Sequence, residues 1–110
     1  MNYEIRVIPN FAREAKQLSK KHKSLRADLE NLKIQLLQNP KMGTPLGNSC
    51  YKVRMAISTK NKGKSGGARV ITHIISVDQS EGKIYLLSIY DKSDRGSISV
   101  SEINNFLKEI

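Results

Sequence analysis

Tyr3, Ile5 and Val7 alternate with Glu4 and Arg6, the two-residue period of a strand with one apolar face. Pro9 stops that strand, and Asn10 is placed to cap a helix beginning at Phe11. Phe11, Ala15 and Leu18 recur at helical spacing until the polar run at residues 20–23 breaks it. Ser24 is then placed to cap a second helix, whose leucines at 25, 29, 32 and 36 are spaced four, three and four. Asn39-Pro40 ends it, because the residue before a proline is disfavoured in the helical region. Two amphipathic helices with a short polar join predict a helical hairpin.

Residues 41–49 carry Gly43, Pro45 and Gly47 and read as a loop. Tyr51, Val53, Met55 and Ile57 alternate with Lys52, Arg54, Ala56 and Ser58, a half-exposed strand with two cations on its polar face. A basic connection follows, then a strand over residues 68–77 rich in β-branched side chains. After a turn at 78–82, residues 83–90 form a strand apolar enough for a central position. Ser99 and Glu102 match a capping box, and Ile103, Phe106, Leu107 and Ile110 give a final helix its buried stripe. The order β-α-α-β-β-β-α, with no repeat and no linker, predicts one α+β domain over residues 1–110. Its four strands should form a twisted, mostly antiparallel sheet with helices on one face. The opposite face should be concave and partly open, with Lys52 and Arg54 turned into it.

Charge changes this picture. The chain has nineteen Lys/Arg against ten Asp/Glu, a formal charge of +9. No acid occurs from Asn31 to Val77, 47 residues that hold eight cations: Lys33, Lys41, Lys52, Arg54, Lys60, Lys62, Lys64 and Arg69. A field of one sign over nearly half a small domain attracts polyanions. The single cysteine, Cys50, cannot close an internal disulfide, and the first residues lack the pattern of a secretory signal. No run of about 18 apolar residues suggests a membrane span. These features predict a cytoplasmic protein without a membrane partner.

Lys60-Asn61-Lys62-Gly63-Lys64-Ser65-Gly66-Gly67-Ala68-Arg69 contains Gly-Lys-Ser but is no nucleotide-binding P-loop. Such a loop needs a glycine five residues earlier, where Ser58 stands, and a helix directly after, where a strand is predicted. What remains is a long cationic connection between strands, in place of the usual two to five residues. Glycines allow close approach to an extended phosphodiester, and lysines supply charge to its phosphates. Arg69, at the strand entry, is the candidate for a fixed two-pronged phosphate contact.

These residues resemble the RelE/ParE superfamily of toxins from bacterial type II toxin–antitoxin systems, nearest its HigB/RelE-like branch. The likeness rests on Pro9-Asn10-Phe11, the two helices ending at Asn39-Pro40, Tyr51-Lys52-Val53-Arg54, and Gly63-Lys64-Ser65-Gly66-Gly67-Ala68-Arg69 followed by Tyr90-Asp91-Lys92. It spans nearly the whole chain. The resemblance implies a RelE-like fold and an mRNA endoribonuclease working on translating ribosomes. It implies cleavage without metal or other cofactor, the 2′-hydroxyl attacking its own 3′ phosphate, and neutralisation by a cognate antitoxin. His22 and His73 stand fifty-one residues apart with no cysteine or carboxylate at ligand spacing, so no metal site is predicted.

Such cleavage needs a base, cations for the charge developing on phosphorus, and an acid for the leaving oxygen. Arg69 matches the family arginine on this strand. Lys62 and Lys64 are candidates for positioning substrate or, crowded by other cations, for the base. Tyr90 and Lys92, at shared strand parity, are candidates for a proton donor or a stacking ring. Lys52, Arg54, Lys60 and Arg95 are candidate RNA contacts. The sequence departs from the family after its last strand: residues 93–100 hold neither the tyrosine nor the histidine that many members carry there. His73, among isoleucines, reads as a core histidine, and Cys50 as inert packing. Two alternatives stand beside the nuclease: a ParE-like inhibitor of DNA gyrase, and a non-catalytic RNA- or ribosome-binding module.

Overall fold

The computed structural model describes residues 2–61 and 63–110. Among them the chain runs β1 (Asn2–Val7), α1 (Pro9–Lys21), α2 (Leu25–Gln38), β2 (Thr44–Gly47), β3 (Cys50–Met55), a 3-10 turn (Ser58–Lys60), β4 (Ala68–Ser76), β5 (Glu81–Asp91) and α3 (Val100–Leu107). The class is the expected α+β, with a helical hairpin first and a single helix last. The sheet has five strands rather than four, in the order β1-β5-β4-β3-β2. The added strand comes from the segment read as a loop. Gly47 at φ +88°, with Asn48 and Ser49 also at positive φ, makes the tight turn that folds β2 back on β3. Pro45 sits in this outer strand, where a missing N–H costs least.

β1 runs parallel to β5, and the other pairs are antiparallel. The chain between β1 and β5, from α1 through β4, is the long crossover that a parallel pair requires, and the helical hairpin begins it. α1 starts two residues earlier than Asn10 capping would give. Ile8 takes the cap position and Pro9 the first turn, where its fixed φ suits a helix and its missing N–H is not needed. Asn10 instead donates to the Leu87 carbonyl at 3.0 Å and to Glu14 at 2.8 Å. Ser24 occupies the cap position of α2, but its hydroxyl donates to the Asp28 carboxylate at 2.8 Å instead of accepting from the helix. The capping box at α3 is present as predicted, Ser99 accepting from Glu102 N–H and Glu102 accepting from Ser99 N–H.

Leu25, Leu29, Leu32 and Leu36 of α2 and Phe11 and Leu18 of α1 bury against Val53, Val70 and Ile89 of the sheet. The β4–β5 ladder shifts register between Ile71 and Thr72. Ile71 pairs with Ser88 and Thr72 with Leu86, which leaves Leu87 as the extra residue of a bulge. The bulge lets Leu86 and Leu87, neighbours in sequence, both reach full burial. The second face is less open than expected. Ile71, Tyr90 and Cys50 on that face are nearly free of solvent contact, Arg54 is exposed, and Lys52, His73 and Tyr85 are half-buried.

Candidate RNA-binding and cleavage site

Three adjacent strands assemble one polar row. Arg54 on β3 pairs with Arg69 on β4, which pairs with Tyr90 on β5. Directly opposed residues share a sheet face. Each strand step is about 4.8 Å, so the row spans roughly 10 Å. The next row, Val53, Val70 and Ile89, turns the other way into the core.

Members of the row differ in access. Arg54 is exposed, whereas Arg69 is 3% and Tyr90 5% exposed. Arg69 Nη1 donates to the carbonyls of Lys64 at 3.0 Å and Ala68 at 3.2 Å, and Nη2 donates to that of Ser65 at 3.3 Å. The reading of Arg69 as an open phosphate fork is therefore corrected. A guanidinium under the sheet's cover must find acceptors, and the carbonyls of the basic loop are the nearest ones. Its two prongs fix the backbone from which the Lys64 side chain projects. Lys92 N–H donates to the Gly67 carbonyl at 3.0 Å and closes the loop's far end. Gly67 leaves no room for a side chain there, since a β-carbon would run into the Met55 carbonyl of β3.

Lys64 itself is exposed and lines, with Arg54, a pocket of about 180 Å³. Asn31 and Gln35 of α2 form its opposite wall, together with Asp28 and Ser58. The acid here is already engaged: Asp28 accepts from Ser58 Oγ at 2.5 Å and Ser58 N–H at 3.0 Å. Burial pushes its carboxyl up, but the bonds from Ser58 and Ser24 outweigh it, and the group stays ionised. Two cations thus open on one hollow beside an acid that already accepts three hydrogen bonds.

Lys60, Lys92, Arg95 and Tyr90 are placed differently from expectation. Lys60 Nζ donates to Asp91 Oδ1 at 2.7 Å and Ser93 Oγ at 2.8 Å, so it straps the loop's start to the end of β5 and is no free RNA contact. His22, at the end of α1, places Nε2 3.1 Å from Asp91 Oδ2. Burial acts to raise the Asp91 carboxyl, but Lys60 and Ser93 hydrogen bonds more than offset it and draw it down to about 2. β5 ends at Asp91, so Lys92 lies in the turn beyond it and does not extend Tyr90's row. Arg95 lies over the Tyr90 ring, 5.1 Å from its centroid, a cation–π contact. Its Nη2 donates to both Glu102 oxygens at 2.8 and 2.9 Å and its Nε to the Ser97 carbonyl at 3.0 Å. That pair draws the Glu102 carboxyl down to about 2 and raises the Arg95 guanidinium. The Tyr90 hydroxyl is buried without a hydrogen-bond partner among the described residues. Burial raises it, and the nearby charges of Arg95 and Arg69 pull it back.

Lys52 is half-buried, opposite Ile71 and Thr44, one row below Arg54. Lys62 lies outside the described residues. His73 approaches Cys50 Sγ at 3.4 Å, and burial lowers the imidazole and raises the thiol. Sequence reasoning missed His22 and Glu14. His22 stood in a lysine run that read as a polar join. Glu14 read as solvent face, yet its Oε1 accepts from Ser88 Oγ at 2.7 Å and Ile89 N–H at 3.3 Å.

A solved structure of an E. coli toxin RelE variant, two arginines changed to alanine, in the free state, superposes on this chain with a TM-score of 0.58. The match covers 100% of this chain and 99% of that one at 17% sequence identity. No protein-family model matches the sequence. The chain has the RelE toxin fold over its whole length. No helix among the described residues is long and apolar enough to cross a membrane.

Proposed function

We propose that this protein is the toxin of a bacterial toxin–antitoxin pair and cuts mRNA on translating ribosomes as a metal-independent endoribonuclease. The observation that carries the reading is the pocket shared by Arg54 and Lys64 at the open end of the Arg54–Arg69–Tyr90 row. The RelE fold and the acid-free stretch that supplies these cations support it.

In this mechanism Arg54 and Lys64 grip the scissile phosphate and meet the charge that grows on its oxygens. The neighbouring 2′-hydroxyl attacks phosphorus, a bond to O2′ forms and the bond to O5′ breaks. The products are a 2′,3′-cyclic phosphate and a 5′-hydroxyl. The 2′ proton goes to a neutral amine of the basic loop: Lys62, or Lys64 in place of its phosphate contact. The leaving oxygen takes its proton from Lys92, which is exposed in the turn after β5. Arg69 is a positioning residue that sets the height of the loop over the phosphate. The partner that silences the protein is a cognate antitoxin, presenting acidic side chains to the exposed cations.

Mapping transcript ends after induced expression tests the proposal. New 5′-hydroxyl ends within coding regions, and cleavage that persists in EDTA with ribosome integrity held by other means, are the expected results. Lost supercoiling with intact transcripts would replace the nuclease with a gyrase inhibitor. Stalled translation with uncut mRNA would leave a non-catalytic ribosome-binding module.

A further inference from the structure

On the far side of Tyr90 from the Arg54–Lys64 pocket, a second hollow of about 210 Å³ lies between α1 and the end of β5. Its floor is apolar, from Leu18 and Ile89. Glu14, Asp91, Asp94, Lys21, Tyr90 and Arg95 line it as well. Asp91 is taken up by His22, Lys60 and Ser93, and Lys21 and Asp94 are exposed. Two of the remaining polar groups are held rigid with one end to spare. Glu14 is fixed through Oε1, which accepts from Asn10, Ser88 and Ile89, while Oε2 has no partner among the described residues. Arg95 is fixed through Nε and Nη2, while Nη1 has no partner among the described residues. The Tyr90 hydroxyl beside them is buried and unpartnered. Side chains held this way lose little further freedom on binding.

We propose that this hollow is a nucleobase pocket that selects guanine. The proposal rests on the RNA-binding reading above but not on cleavage. The space equals about seven waters at roughly 30 Å³ each, which admits one flat ring system and no more. A fixed anionic acceptor and a fixed cationic donor ask for a base with donors grouped at one end and acceptors at the other. Guanine meets this, with N1–H and N2–H₂ together and O6 and N7 together. Adenine does not, because its N6 donor is flanked by acceptors. Glu14 Oε2 accepts from the guanine donors, and Arg95 Nη1 donates to O6 or N7. The base enters beside Tyr90 while its phosphates lie along the row toward Arg54. Single-stranded RNA is read in this manner, by splayed bases whose edges meet polar side chains.

The test is an NMR titration of the whole protein with guanosine, adenosine, cytidine and uridine 5′-monophosphates, followed through backbone amide shifts. The phosphate is common to all four, so differences belong to the base. GMP should bind at least tenfold tighter than AMP, with shifts centred on Glu14, Ile89, Tyr90 and Arg95. Glu14→Gln should bring the GMP-to-AMP ratio near one with phosphate-driven binding intact. Arg95→Gln, farther from the Ser88 and Ile89 contacts, should do the same if Glu14→Gln disturbs the fold. Equal binding of all four nucleotides, or guanine-dependent shifts confined to other residues, would overturn the pocket. Guanine preference without transcript cleavage would keep the pocket and remove the nuclease.

Discussion

The two sides of one sheet end use cations in opposite ways. At the β3 side, Arg54 and Lys64 open on a pocket whose only acid is engaged by Ser58 and Ser24. At the β5 side, Lys60 and His22 converge on Asp91, and Arg95 on Glu102. Where a carboxylate is close, the cation becomes a fastener. Where none is, Arg54 and Lys64 face solvent and any polyanion there, while the buried Arg69 turns to the loop's own carbonyls. Counting positive charges overstates the RNA-facing surface, and the placement of a few acids corrects it.

That contrast predicts a ranked set of effects. Asp91→Ala should do the greatest damage. It leaves Lys60 and His22 without their shared carboxylate under partial cover, and loss of one partner of a buried pair costs about 3–5 kcal/mol. Urea unfolding measures this, and a change within experimental error would mean that the strap is not structural. Arg54→Ala combined with Lys64→Ala should leave the unfolding midpoint nearly unchanged and slow cleavage by about a hundredfold or more, the usual scale for removing a donor that meets transition-state charge. Steady-state cleavage of a coding-region RNA reads it. Arg69→Lys keeps the charge but loses the fork that gathers three carbonyls, and should destabilise by about 1–3 kcal/mol with a fall in kcat that tracks a loosened loop. An unaltered loop in hydrogen exchange would contradict the positioning role.

The smallest effect is on pH. Asp91 is drawn from 3.8 to about 2 and Glu102 from 4.5 to about 2 in the folded protein. Both values lie below those of the unfolded chain, so each group favours the folded state fully above its unfolded value. That contribution drains away as pH falls through the folded values, between about pH 4.5 and 2. Stability should drop in that window, and Asp91→Asn should flatten part of the drop. Glu102 is partly solvated, so Glu102→Gln should shift stability by no more than about 1 kcal/mol.

Elements with strong periodicity were legible from the sequence. The leucines of α2 and the alternation of β3 come from local side-chain spacing alone, and the capping box of α3 from two residues three apart. β2 was not legible, because its turn depends on positive φ at Asn48 and Ser49 beside Gly47, which composition does not announce. Asn10 looked like a cap because the proline before it was taken as an end, whereas Pro9 is itself the first turn. At the site, the row Arg54–Arg69–Tyr90 follows from register, which the sequence leaves open until strands are paired. The Asp91 fastener joins residues 69 and 31 positions apart in the chain. Nothing local to His22 or Lys60 signals a partner at such a distance.

The central claim is that RNA lies along the Arg54–Lys64 side of the sheet end, steered there by acid placement. An NMR titration with a short RNA carrying a 2′-deoxy sugar at the cleavage position, which binds but cannot react, tests this most directly. The account predicts amide shifts at Arg54, Lys64, Ser65 and Tyr90, weakened sharply by salt. Shifts confined to the α1–α2 surface or the outer edge of β1, with those four residues unmoved, would contradict it.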